Sequence, residues 1–169
     1  VESEEGVGSC FSFTVRFGVS HAKQAVSHAE PDAQAGAESG DFSGRAILVV
    51  DDIDINLEII LALLQPTRIE MDTAYDGQEA VDLFVKNPGR YDLILMDMQM
   101  PEVDGLQATR MIRALDAPGA KTVPIIAMTA NVFREDIERC IEAGMNGHLG
   151  KPIEMQDVMD ILSQYLGNY

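Results

Sequence analysis

Tyr91-Asp92-Leu93-Ile94-Leu95-Met96-Asp97-Met98-Gln99-Met100-Pro101 is a short apolar run with polar flanks, and it delivers one carboxylate, Asp97, at its C-terminal end. An unbroken apolar run of this length fits a strand covered on both faces, the middle of a parallel sheet, better than an amphipathic helix. Open α/β sheets bind their ligands beyond the carboxyl ends of such strands. A polar residue after a buried strand usually just begins a loop. Asp97 therefore acquires meaning only from what the rest of the chain places beside it.

Working outward, strand and helix patterns alternate five times from Arg45 onward. Upstream, residues 46–50 (Ala-Ile-Leu-Val-Val) predict a buried strand ending in Asp51-Asp52, and residues 55–64 follow with helical apolar spacing until Pro66 closes them. Residues 69–74 are a shorter, more polar strand suited to a sheet edge. Asp76 then caps a helix to about Lys86, with Asn87-Pro88-Gly89 as breaker. Downstream, residues 101–105 turn, residues 106–115 form a helix with Met111, Ile112 and Leu115 inward, and Asp116-Ala117-Pro118-Gly119 breaks it. A fourth strand over residues 123–128 ends in Thr129-Ala130-Asn131. Phe133, Ile137, Cys140 and Ile141 recur at helical spacing until Ala143-Gly144. A brief strand over 147–149 leads into Gly150-Lys151-Pro152, and a last helix spans 154–166. This alternation implies βαβ units, right-handed crossovers and a parallel sheet.

With 169 residues, 46% of them apolar, the chain can build one good core. The net charge of −16 repels nucleic-acid phosphates and anionic membrane surfaces and favours cations and basic partners. Up to Gly44 there are seven acids and two bases, −5, which leaves −11 for residues 45–169. Cys10 and Cys140 lie far apart in no metal-like spacing, so a reducing cytoplasm is expected, with neither a disulfide framework nor zinc. No apolar stretch approaches a membrane span, and residues 1–5 lack the basic start of a signal peptide. The Val1 start reads as a piece of a longer parent. Within residues 6–17, Phe11, Phe13, Val15 and Phe17 alternate with Ser12, Thr14 and Arg16, a half-buried strand. Residues 18–44, rich in Ala, Ser, Gly, Gln and Glu, are linker.

In a parallel sheet all the strand ends share one rim, so Asp51, Asp52, Asp97, Thr129 and Lys151 should converge there. Three carboxylates suit a hard divalent cation; one hydroxyl and one ammonium suit phosphate oxygens. Like charges at this range raise one another's pKa values, and Mg2+ relieves that by taking one or two carboxylates plus waters and substrate oxygens. Phosphoryl transfer needs little beyond alignment and charge neutralisation. Singly, each residue has a plain structural explanation: Asp51-Asp52 or Thr129 as helix caps, Lys151 as a surface lysine. Their common position argues for the joint reading.

The order and spacing of Leu48-Val49-Val50-Asp51-Asp52, the run from Leu93 to Gly105, Met128-Thr129-Ala130-Asn131 and Gly150-Lys151-Pro152-Ile153 resemble the response-regulator receiver domain. The resemblance extends over 45–169. It implies a flavodoxin-like, doubly wound five-stranded parallel sheet in the order 2-1-3-4-5 with helices on both faces. It also implies Asp97 as phosphoacceptor, Mg2+ on Asp52 and Asp97 with the Gln99 backbone carbonyl and, through water, Asp51. Thr129 and Lys151 would hold the phosphoryl oxygens, Pro101, Asp104 and Gly105 would shape the loop, and the Lys151-Pro152 bond would be cis. By the same resemblance, Asn131 and Gln99 occupy positions that tune dephosphorylation in the family. One departure is His148, three residues before the lysine, where the family carries Tyr or Phe; it buries less apolar surface and puts an aromatic-burial switch in doubt. Residues 1–18 resemble the end of a histidine-kinase ATP-binding domain on Gly6-Val7-Gly8-Ser9-Cys10-Phe11, with 19–44 as linker. Together these imply a hybrid histidine kinase as parent, membrane-anchored, supplying phosphohistidine to a cytoplasmic receiver. The receiver would assist its own phosphorylation and dephosphorylation. Its implied partners are the parent's histidine kinase domain, a histidine phosphotransfer protein and a weak homodimer, with no nucleic acid and no direct membrane contact.

Two other readings stay open on the residues. Asp52-Ile53-Asp54 after a strand imitates the nucleophile motif of a haloacid-dehalogenase-type phosphohydrolase, which leaves Asp97 and the Pro101 turn without a role. A phosphorylation-independent scaffold is the other.

Overall fold

The structure, a computed structural model, describes residues 2–4, 8–10, 40–130 and 133–167. The chain divides into two units, residues 1–35 and 36–169. In the first, β1 (Glu2–Glu4) and β2 (Gly8–Cys10) pair antiparallel with Ser3 opposite Ser9. Beyond these two strands, the segment 1–18, and the linker up to residue 39, lie outside the described residues.

The second unit is built on five parallel strands: β3 (Ala46–Val50), β4 (Glu70–Ala74), β5 (Leu93–Asp97), β6 (Ile125–Thr129) and β7 (Gly147–Gly150). They lie in the order β4-β3-β5-β6-β7, which is 2-1-3-4-5 counted from β3. Every residue of β3, β5 and β6 is buried, which is why these strands read as continuous apolar runs rather than alternations. Their side chains still alternate between two cores. Ile47, Val49, Leu93, Leu95, Ile126 and Met128 pack beneath α1 (Asp54–Leu64) and α5 (Met155–Leu166). Leu48, Val50, Ile94, Met96, Ile125 and Ala127 meet α2 (Gly77–Lys86), α3 (Gly105–Ala114) and α4 (Arg134–Ala143). The sheet is therefore doubly wound, as the resemblance implied.

The expected helices are present with small differences at their ends. Asp76 caps α2 by accepting from the Glu79 N–H, and Asp104 caps α3 by accepting from the Gln107 N–H. α1 ends at Leu64, just before Pro66 as expected, and Pro66 sits early in a 3-10 turn, Gln65–Thr67, that follows directly and closes on left-handed Arg68. α4 stops at Gly144, whose φ of 98° lets its N–H reach back to the Cys140 and Ile141 carbonyls. Met111, expected inward, is exposed, and so are Phe133 and Ile141 (67% and 64%). Of α4's described residues only Cys140 and Ala143 are buried.

Packing starts upstream of Arg45. Phe42 is buried in the core with Ile47, Leu64 and Ile69, its N–H donates to the Thr67 carbonyl at 2.9 Å, and Asp41 pairs with Arg68. At the far side of α3, the half-buried Arg113 guanidinium donates to the carbonyls of Gly144 (3.0 Å), Ala120 (2.8 Å) and Val123 (2.7 Å) and to Asn146 Oδ1 (2.9 Å). It joins the end of α3 to the loop before β6 and to the C-cap of α4. No helix among the described residues is long and apolar enough to cross a membrane.

Candidate functional site

The carboxyl ends of β3, β5, β6 and β7 bring Asp51, Asp52, Asp97, Thr129 and Lys151 to one rim. Asp97 is the last residue of β5 and sits opposite Met128 of β6. Thr129 closes β6, and the Lys151 N–H donates to its carbonyl at 2.7 Å, which carries Lys151 in from β7. The Lys151-Pro152 bond is cis. Asp51 and Asp97 are almost completely buried, at 0% and 5% exposure, whereas Asp52 is exposed.

One ammonium serves two carboxylates. Lys151 Nζ lies 2.7 Å from Asp51 Oδ2 and 2.9 Å from Asp97 Oδ1. Asp51 Oδ1 accepts from the Ile53 N–H at 3.0 Å and from Asn56 Nδ2 at 2.9 Å. Burial pushes the Asp97 carboxyl above the ordinary range, and the neighbouring Asp51 charge adds to this; Lys151 and the Gln99 N–H pull the other way and do not overcome it. Burial alone would lower the Lys151 ammonium, but its hydrogen bonds and charge contacts with Asp51 and Asp97 outweigh that and hold it above the usual lysine value. The two shifts differ in cause: burial dominates at Asp97, whereas the pair of carboxylates dominates at Lys151.

Asp51, Asp52 and Asp97 each offer an oxygen, and these oxygens lie within 4.8 Å of one another. An all-oxygen, carboxylate-rich set of this size is the donor chemistry of Mg2+ rather than of a soft transition metal.

The loop after Asp97 is held against it. Gly105 N donates to the Met98 carbonyl at 3.3 Å, and a Cβ on Gly105 would stand 2.1 Å from the Asp97 carbonyl oxygen, so only glycine fits there. Glu102 takes a φ of 62°, a conformation that non-glycine residues rarely hold away from functional loops. A cleft of about 280 Å³ opens beside this loop, lined among others by Gln99, Asp104, Thr129 and the Asp136 and Arg139 pair. A smaller, more apolar groove of about 120 Å³ is lined by Lys151 together with Asn56, Ile59, Ile60, Pro152 and Ile153.

Asp51, Asp52, Asp97, Thr129 and Lys151 are thus at one rim, and Asn131 lies outside the described residues. Gln99 is present through its backbone N–H on Asp97. His148 lies on β7 beside Asp157, Asp160 and Ile161 of α5. The expectation missed Asn56, whose spacing of five residues after Asp51, in the first turn of α1, was the available signal.

The model of the response regulator receiver domain matches residues 47–163. The osmosensing histidine protein kinase of Saccharomyces cerevisiae is 42% identical over 127 residues, 73% of this chain and 10% of that protein. A probable histidine kinase of Oryza sativa subsp. indica is 34% identical over 169 residues, 82% of this chain and 17% of that protein. The chain therefore spans under a fifth of the length of these curated relatives. Among solved structures, the receiver domain of a sensor histidine kinase from Pseudomonas aeruginosa, with a magnesium ion coordinated in its active-site cleft, is 40% identical. It matches with a TM-score of 0.67, over 75% of this chain and all of that one. The receiver domain of a yeast response regulator, solved with a histidine phosphotransfer signalling protein, matches at 27% identity and a TM-score of 0.64 over 72% of this chain and 88% of that one.

Proposed function

The chain belongs to the response regulator receiver family, and from that premise we propose that residues 45–169 are the phosphoacceptor module of a two-component phosphorelay with Asp97 as the acceptor. The observation that carries the assignment is the Lys151 ammonium bonded at once to Asp51 and to Asp97, at the mouth of a cluster of carboxylates. A carboxylate oxygen of Asp97 attacks the phosphorus of a phosphohistidine, an O–P bond forms, the P–N bond breaks, and the electron pair leaves with the imidazole nitrogen, which takes up a proton. Lys151 and Thr129 bind the transferred oxygens. The fixed loop from Met98 to Gly105 holds the Asp97 backbone still while its side chain reacts. Asp51, Asp52 and Asp97, with the Gln99 backbone, would hold Mg2+, which supplies charge neutralisation for the phosphoryl group. The Pseudomonas neighbour, with its magnesium ion coordinated in the active-site cleft, supports the choice of ion.

The donor is a histidine kinase domain of a longer parent and the onward acceptor a histidine phosphotransfer protein, the partner kind seated on the yeast neighbour. We place it over the exposed side chains of Ile53, Ile55 and Ile59 at and after the start of α1, of which Ile59 lines the groove beside Lys151. Such an apolar patch at the rim is a protein-docking feature, and Ile59→Asp should weaken phosphotransfer to that partner without preventing small-donor phosphorylation.

The phosphohydrolase alternative makes the exposed Asp52 the nucleophile and leaves the buried, lysine-bound Asp97 idle, so it is disfavoured. Phosphotransfer from a phosphorylated kinase, or modification by acetyl phosphate with Mg2+, separates the readings. Wild type and Asp52→Asn should still offer Asp97 as acceptor, the latter more slowly, and Asp97→Asn should take up nothing. Label on Asp97→Asn, or none on wild type, would defeat the assignment.

A further inference from the structure

Asp51 is the most enclosed polar residue of the site, and its orientation decides which of its oxygens joins the carboxylate cluster. The terminal torsion of an aspartate is soft, with broad wells, so a carboxylate keeps one oxygen aimed at a cleft only if its other oxygen is held. Here Oδ1 is held twice, by the Ile53 N–H at 3.0 Å and by Asn56 Nδ2 at 2.9 Å. Oδ2 is left to turn toward Lys151 and, through that ammonium, toward Asp97. The Ile53 contact is a local turn that many sequences form; Asn56 reaches back from the first turn of α1, where its backbone N–H donates to the Ile53 carbonyl at 2.9 Å and fixes the backbone from which the side chain projects.

We infer that Asn56 is a positioning residue for the cation site: it aims Asp51 and so sets how tightly Mg2+ is held, without touching the ion or the phosphoryl group. This rests on the phosphoacceptor reading above. Groups that orient metal ligands in this way change metal affinity by about tenfold or more when removed. Asn56 also serves when Lys151 turns to the phosphoryl oxygens, since Asp51 then keeps two donors on Oδ1 instead of one.

The test is a titration with Mg2+ alone, read by amide shifts of Asp52, Asp97 and Gln99, on wild type, Asn56→Ala, Asn56→Leu and the exposed control Glu58→Ala. Alanine favours the helix, and leucine matches the shape of asparagine in a groove already lined by Ile59, Ile60 and Ile153, so at least one variant keeps the fold. The Kd for Mg2+ should rise about tenfold in both Asn56 variants and stay within twofold in Glu58→Ala. The Mg2+ concentration for half-maximal acetyl phosphate labelling should move by the same factor while the limiting rate falls less than about threefold. A role confined to α1 stability would shift the melting temperature and leave the Kd alone. An Asn56 variant that is folded and binds Mg2+ within twofold of wild type overturns the inference, as does an equal loss in Glu58→Ala. If wild type itself neither binds Mg2+ nor takes label, the phosphoacceptor reading fails instead.

Discussion

Removing the ammonium of Lys151 should destabilise the domain by about 3–4 kcal/mol, with a pH dependence that identifies the cause. Lys151→Met keeps most of the aliphatic stem and deletes the charge shared by Asp51 and Asp97. The carboxylate oxygens of the cluster lie within 4.8 Å of one another, and two unit charges at that distance repel by about 3.5 kcal/mol at an effective dielectric near 20. That agrees with the roughly 3–5 kcal/mol lost when one partner leaves a buried pair. The assay is urea denaturation in EDTA, where the midpoint should fall with little change in slope. With the cation gone, one carboxylate retains its proton further up the pH scale, so the folded state binds more protons than the unfolded chain. Stability is then highest in mild acid and is lost as pH rises, and the deficit against wild type shrinks toward about pH 5 and grows toward about pH 7.5. Mg2+ at about 10 mM should narrow the gap, because a cation bound only by the folded state stabilises it by mass action. In wild type the raised Lys151 value places its own contribution differently: it is fully present below the ordinary lysine value of 10.5 and lost only as pH climbs through the higher folded value. A loss under about 1 kcal/mol that is flat between those pH values would refute the idea that Lys151 balances two buried acids.

Three further outcomes are expected. Phe42→Ala should cost about 3–5 kcal/mol in denaturant unfolding, since it empties a core position shared with Ile47, Leu64 and Ile69; a change below about 1 kcal/mol would place Phe42 outside the cooperative unit. Gly105→Ala should cost about 1–3 kcal/mol and slow phosphoryl uptake at Asp97, because the added Cβ meets the Asp97 carbonyl oxygen at 2.1 Å. Unchanged stability and rate would show that the loop yields freely. Tyr91 donates to Asp72 at 2.8 Å, and burial first, then that bond, pushes its phenol up to about 12. Its stabilising contribution is therefore complete below the ordinary tyrosine value of 10.0 and disappears as pH rises toward 12. Tyr91→Phe should remove the latest component of the ultraviolet phenolate titration, and persistence of that component would count against the assignment.

The sheet and the rim were readable because they rest on patterns local in sequence. Strands buried on both faces must be apolar throughout, so β3, β5 and β6 announced themselves, and a parallel sheet then forces their carboxyl ends together. Helical spacing is a weaker guide, because it shows which residues share a face and not whether anything covers that face. Phe133 and Ile141 obey the period of α4 and are nonetheless exposed. Phe42 was hidden for the opposite reason: one aromatic in a polar tract has no period at all, and its burial depends on Thr67 and Arg68 more than twenty positions away. Asn56 and Arg113 were equally silent. What they do follows from where an amide or a guanidinium points, and residue type leaves that undecided.

Arg113 has one more consequence, in how the domain should respond to salt. Its bonding partners are four neutral oxygens, and burial alone lowers its pKa, so the junction it makes relies on directed hydrogen bonds at short range. The ion pairs of Arg90 with Asp72 and Glu70, by contrast, are partly exposed. Dissolved ions act over distances near the Debye length, about 10 Å at 0.1 M, and weaken exposed pairs while sparing contacts made inside the protein. Brine should loosen the β4 edge well before it loosens the seam between α3 and the end of α4.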